Sequence, residues 1–246
     1  MPAQAKRRIA LEVCVDSVES AVAADRGGAD RVELCSSLCV GGVSPSDGLV
    51  AETCENVRLK VHVLIRPRPG DFVFSPQEMK VMERDIRRAK ELGAAGVVIG
   101  VLRDDRTVDA ARTRALVEAA RPLSITFHRA FDETRQPFRA LELLAGLGIQ
   151  RILTSGQRPN AIDGIDLLRD LIDHAGGRIG ILAGSGINAT NVRQLVTEAG
   201  VREVHVGSGV AFRSARGRAA SLFAPGAPAT SADRVRRFIR LLHDLS

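Results

Sequence analysis

Four stretches of this chain repeat one short pattern. A helical segment ends, a glycine follows, and a compact apolar strand begins. The stretches are Gly28-Ala-Asp-Arg-Val-Glu-Leu34, Gly93-Ala-Ala-Gly-Val-Val-Ile99, Gly148-Ile-Gln-Arg-Ile-Leu153 and Gly200-Val-Arg-Glu-Val-His-Val206. Glycine suits the left-handed residue just past a helix C-terminus, and the apolar run suits a strand covered by helices. Each stretch therefore reads as the joint of an α/β unit. Four further strand segments, 8–15, 59–66, 123–128 and 178–183, lie before and between the joints. The resulting strands fall roughly 28 residues apart, the size of one βα unit.

Eight such units in 246 residues predict an α/β fold with a single (β/α)8, TIM-type barrel, whose usual length is about 250 residues. An open doubly wound sheet normally has fewer strands and a phosphate loop after the first of them. Here the first strand runs into Cys14-Val-Asp-Ser17 without a glycine cluster, which favours the barrel. One domain over 1–246 is expected, with a core at about 9–210 and a variable C-terminal segment, 211–246.

The spacing predicts helices over 17–27, 47–57, 76–91, 107–120, 137–146, 161–174, 188–199 and 231–244. Ser17 stands at the first helix start, Ser75-Pro76 with Glu78 at the third, and Asn188 at the seventh. These are residue types that cap or open a helix. The Ala-, Gly-, Ser- and Pro-rich stretch 213–230 reads as a loose excursion before the last helix.

Hydrophobic residues make up 45% of the chain, enough for one well-buried core. No apolar run approaches a membrane span. The basic start, Met1 to Arg8, leads into the first strand without a signal-like apolar stretch, so a cytoplasmic protein is expected. The four cysteines, Cys14, Cys35, Cys39 and Cys54, are too few for a disulfide scaffold and are expected as free thiols. The net charge of +6 gathers partly in Arg213, Arg216, Arg218, Arg234, Arg236, Arg237 and Arg240. No nucleic-acid motif accompanies these arginines, and Trp and Tyr are absent. A solvated surface is therefore expected rather than a nucleic-acid partner.

Strand side chains alternate between two faces. On the first strand Leu11, Val13 and Val15 oppose Glu12, Cys14 and Asp16; on the second, Val32 and Leu34 oppose Arg31, Glu33 and Cys35. His62, Leu64 and Arg66 share a face of the third strand, Thr126 and His128 of the fifth, and Glu203, His205 and Gly207 of the eighth. The apolar face must meet the helices, so the polar face points into the barrel. Ordinary barrel interiors hold bulky branched side chains. Inward charges must be paired with one another, and they also gather where pKa tuning is needed for chemistry.

Barrel sites sit at the strand C-terminal ends. There Glu12, Glu33, His128 and Asp132 are candidate catalytic groups, with Asp132 expected to orient His128 or act with it. Arg66 and Arg68, alternated with prolines, form a candidate clamp for a carboxylate or phosphate. The turns Thr154-Ser155-Gly156, Gly184-Ser185-Gly186 and Gly207-Ser208-Gly209 offer backbone N–H groups to the same anion.

Several of these segments, taken together, resemble the CutC family. They are Glu12-Val-Cys14, Gly28-Ala-Asp-Arg-Val-Glu-Leu-Cys35, Ile65-Arg-Pro-Arg68 with Gly70-Asp-Phe72, Phe127-His-Arg-Ala-Phe-Asp132 and Leu153-Thr-Ser-Gly156. The resemblance spans about residues 9 to 210. It implies a TIM-like barrel, a cytoplasmic location, often a homo-oligomer, and a link to copper homeostasis. The ligand cysteines proposed for the family fall on Cys14 and Cys35; Cys39 and Cys54 inherit nothing. Residue chemistry alone leaves two readings open. One is Cu(I) held by Cys14 and Cys35, whose soft thiolates suit that ion. The other is an enzyme acting on a small anionic metabolite.

Overall fold

The computed structural model describes residues 8–213 and 228–246. Eight parallel strands close into a barrel in sequence order. They are β1 (Ala10–Val15), β2 (Arg31–Leu34), β3 (Lys60–Leu64), β4 (Gly96–Ile99), β5 (Ser124–Phe127), β6 (Arg151–Thr154), β7 (Gly180–Gly184) and β8 (Glu203–Val206). The helices α1 (Val18–Gly27), α2 (Asp47–Asn56), α3 (Pro76–Glu91), α4 (Ala110–Ala120), α5 (Pro137–Gly146), α6 (Ile165–Ala175), α7 (Val192–Ala199) and α8 (Ala232–Asp244) follow the strands in turn. Closure comes from β1 against β8, with Glu12 level with His205. Among the described residues no helix is long and apolar enough to cross a membrane.

The joints behave as their glycines require. Gly28, Gly93, Gly148 and Gly200 all adopt positive φ, from 72° to 90°, where a side chain would be strained. Ser75 and Glu78 form the reciprocal capping box that opens α3. Three helix starts differ from the spacing, one of them α6, which begins at Ile165 rather than 161 because Ala161–Gly164 forms a 3₁₀ turn. Asn188 spends its side chain on a local turn, accepting from the Thr190 N–H at 2.9 Å, so α7 begins at Val192. Asp109 caps α4, which therefore starts at Ala110 rather than 107.

The two faces of each strand separate as alternation demands. Leu11, Val13, Val32, Leu34, Val61, Val63, Val97, Ile99, Ile125 and Phe127 join the helices in the main apolar core. A separate small cluster inside the barrel holds Cys35, Leu64 and Val98, with Cys14 packed against it. Helix α8 lies on α1 so closely that a β-carbon at Gly27 would strike Val235. The excursion before α8 returns on itself: Ala211–Arg213 (β9) pairs antiparallel with Pro228–Thr230 (β10). The stretch between these strands, with Arg216 and Arg218, lies outside the described residues, as do residues 1–7.

Candidate functional site

Charge fills the barrel interior, and it is paired. Arg31 donates from Nε to Glu12 at 2.5 Å and from its terminal amine to Glu203 at 2.5 Å. Arg151 reaches Glu203 at 3.3 Å and Ser124 at 2.8 Å. Glu12 holds His205 through Nδ1 at 2.7 Å, and His205 Nε2 lies 3.5 Å from Glu33. Burial alone would raise the pKa of Glu12, but the Arg31 guanidinium and His205 more than offset it and hold Glu12 ionised. Burial would lower His205, but Glu33 and Glu12 together push it up. Burial pushes Glu33 up, and His205 only partly opposes this.

Above this layer the thiols of Cys14 and Cys35 lie 3.9 Å apart. Cys35 is buried behind Cys14, with its sulfur 3.6 Å from the Val15 carbonyl oxygen. The Cys35 sulfur and burial push the Cys14 thiol well above its ordinary pKa. One donor atom each from Cys14, Glu33 and His205 lies within 4.8 Å of the others. These groups form the floor of a cavity of about 160 Å³, which is also lined by Leu64, Arg66, Phe72, His128 and Leu153.

Arg66 and His128 flank Phe72 on the cavity wall. The Arg66 guanidinium carbon is 4.9 Å from the ring centre, and the His128 ring is 4.8 Å from it. The structure thus gathers Glu33, Cys14, Arg66 and His128 around one space, with Glu12 and Cys35 directly behind it.

The other candidates lie elsewhere. Asp132 does not touch His128. It accepts from the Ser155 and Gln157 N–H groups at 3.1 Å, from Thr154 Oγ1 at 2.5 Å and from Arg129 at 2.8 Å. It thereby ties the β6 turn to the β5 end. Arg68 turns away from Arg66 and pairs with Asp71 at 3.0 Å and Glu78 at 2.6 Å. The Gly156 N–H donates to Thr154 Oγ1, so this turn and the Asp132 contacts occupy the donors an anion would need. Ser185 Oγ donates to the Pro159 carbonyl, and Gly184 and Gly186 pack on His205 and Asn160. Gly207 and Ser208 line a neighbouring cavity of about 200 Å³ with Asp16 and Thr230. The three glycine turns therefore do not converge on one ligand. His205 completes the cluster; its inward position on the eighth strand was the only sequence signal for it.

A model of the CutC family matches residues 9–210. A mouse protein described as a copper homeostasis protein cutC homolog is 47% identical over 210 residues, covering 83% of this chain and 77% of its own. A CutC family protein of Pasteurella multocida is 47% identical over 203 residues, covering 82% of this chain and 83% of its own. A solved CutC structure from Streptococcus agalactiae superposes with a TM-score of 0.77 at 34% identity, covering 81% of this chain and 98% of its own.

Proposed function

The chain belongs to the CutC family, and on that premise we propose that it handles copper by holding Cu(I) between Cys14 and Cys35. The observation that carries this reading is the thiol pair, 3.9 Å apart beneath a half-open cavity. A metal with bonds to sulfur of about 2.3 Å bridges such a gap without moving the strands. Thiolate is the donor Cu(I) prefers.

His205 is the third donor. Glu12 holds its Nδ1 at 2.7 Å, the carboxylate–imidazole arrangement that orients metal-binding histidines. We read the protein as a cytoplasmic homo-oligomer, a reading its family likeness supports, in a compartment where reduced thiols persist. A second reading, an enzyme for a small anionic metabolite, is favoured by one observation: Arg66 and His128 share the same cavity.

Titration with Cu(I) against a competing chelator, under reductant and without oxygen, tests the copper reading. One tight site per chain is expected. Cys14→Ser and Cys35→Ser should each weaken it by at least about a hundredfold, since even indirect supports of a metal site are worth ~10–100-fold. The Cys14 thiol is protonated at neutral pH because its pKa is raised, so binding must displace that proton. Affinity should therefore climb at least about tenfold per pH unit. Equal Cu(I) affinity in the double cysteine variant would overturn the reading.

A further inference from the structure

Three donor atoms of different chemistry meet where β8, β1 and β2 lie side by side. Cys14 stands level with Glu33 on β2, and Glu12, two residues before Cys14 on the same inward face, stands level with His205 on β8. The strand register sets these levels, so the sheet positions the three donors rather than loops. One atom each from Cys14, Glu33 and His205 lies within 4.8 Å of the other two, and His205 Nε2 is 3.5 Å from the Glu33 carboxylate. All three residues line the same cavity. Cys14 is half-buried, and the His205 and Glu33 side chains keep 13% and 8% of their surface exposed, so an ion can reach all three.

This donor set is not the one Cu(I) selects. Cu(I) favours soft sulfur, whereas a carboxylate oxygen suits harder ions. Zinc(II) accepts thiolate, imidazole and carboxylate alike. Around a tetrahedral zinc ion, bonds of about 2.3 Å to sulfur and about 2.0–2.2 Å to nitrogen and oxygen place neighbouring donor atoms about 3.3–3.6 Å apart. The Glu33–His205 pair already has that separation. Charge points the same way. A thiolate and a carboxylate together neutralise a dication, which matters in a buried layer where unbalanced charge is costly. Glu12 occupies His205 Nδ1 at 2.7 Å, which leaves Nε2 for the metal. Cys35 stands apart from this trio, its sulfur against the Val15 carbonyl oxygen.

We infer that Cys14, Glu33 and His205 form a site for a zinc-class divalent ion whose fourth position opens to the cavity. Three protein donors with one open position is the plan of a catalytic zinc site, whereas a structural site closes with four. The volume of about 160 Å³ corresponds to about five waters at ~30 Å³ each, so the open position has room for a water and a small molecule beside it. A water bound to such an ion gives up its proton near neutral pH. The site shares Cys14 and His205 with the copper reading, and Glu33 against Cys35 decides between them.

Titration of the reduced, metal-free protein with Zn2+ against a chromophoric chelator, and with Co2+ followed by absorption, tests the assignment. Zn2+ should bind once per chain with a Kd below about 1 μM. Co2+ should show a thiolate-to-cobalt charge-transfer band and the intense visible bands of a tetrahedral ion, and Cys14→Ser should abolish the charge-transfer band. Glu33→Gln removes an anionic donor at nearly constant shape. It should lower Zn2+ affinity at least about tenfold more than Cu(I) affinity, since even indirect supports of a metal site are worth ~10–100-fold. Cys35→Ser should do the reverse. Should Glu33→Gln fail to fold, Glu33→Asp, which keeps the charge but draws the oxygens back, should show the same selective loss. Three results would overturn the inference: Zn2+ binding weaker than about 1 μM in the wild type, a Co2+ complex without the charge-transfer and tetrahedral bands, or a Zn2+ loss that follows Cys35 rather than Glu33. Cu(I) titration of the same proteins judges the copper reading separately.

Discussion

Between pH 7 and pH 5 the protein should lose about 2–4 kcal/mol of stability. His62 and His128 are the cause. Burial, helped by Arg151 and Arg31 and opposed by Glu12, lowers His62 to about 4. Burial and then Arg66 lower His128 to about 3. In the unfolded chain both titrate near 6.5. As pH falls below that value the unfolded chain binds protons that the folded one refuses, so stability drops. At 1.36 kcal/mol per pKa unit, each histidine costs about 2 kcal/mol by pH 5.

The other shifted groups act in different windows. His205 is raised, so its contribution is complete below 6.5 and is lost only as pH rises. Glu12 is depressed, so its contribution fades only as pH falls below the ordinary 4.5. Glu33, raised by burial, takes up its proton in the fold first and returns part of the loss, which sets the lower end of the range. Urea unfolding at pH 7, 6 and 5 measures the fall, and His128→Asn should remove about half of the histidine share. A flat profile would mean that these imidazoles are hydrated in the fold.

The barrel was legible because its signals are local. Helix exit, left-handed glycine and apolar strand all lie within a few residues, and Gly28, Gly93, Gly148 and Gly200 took the predicted conformation. Strand alternation likewise separated Val13 from Cys14 and Val32 from Glu33, because one face had to meet helices. The site was legible only in part. Which inward groups touch depends on the register around the closed sheet. Glu12 and His205 are 193 residues apart and meet only because β1 pairs with β8.

Loop geometry was less readable still. Asp132 sits on a short 3₁₀ turn, Arg129–Glu133, which carries its carboxylate to the β6 turn rather than to His128. Arg68 lies two residues from Arg66, yet it turns to Glu78 at the start of α3. Pairing of this kind is set by the path of the chain between the elements, which no residue spacing encodes.

The largest single-residue effect is expected at a side chain that touches no ligand. Arg31→Met should cost about 3–5 kcal/mol, the range for breaking a buried ion pair from one side. Glu12 is 1% exposed, so without the guanidinium its carboxylate keeps only His205 as a hydrogen-bond partner among the described residues. Glu203 suffers less, because Arg151 remains bonded to it. Adding Glu12→Gln to Arg31→Met removes the stranded charge and should recover much of the loss, whereas two independent sites would simply add. The damage should also reach the thiol cluster. A Glu12 that takes up a proton to escape its isolation no longer fixes His205 Nδ1, so the imidazole loses its aim at the cavity floor. Cu(I) affinity should then fall about ten- to a hundredfold, as for other indirect supports of a metal site, although Arg31 supplies no donor atom. Urea unfolding of the single and double variants, with Cu(I) titration of whichever stays folded, separates the outcomes. Wild-type stability in Arg31→Met would show that water reaches the interior layer, and the barrel floor would then be a solvated network rather than a dry, oriented one.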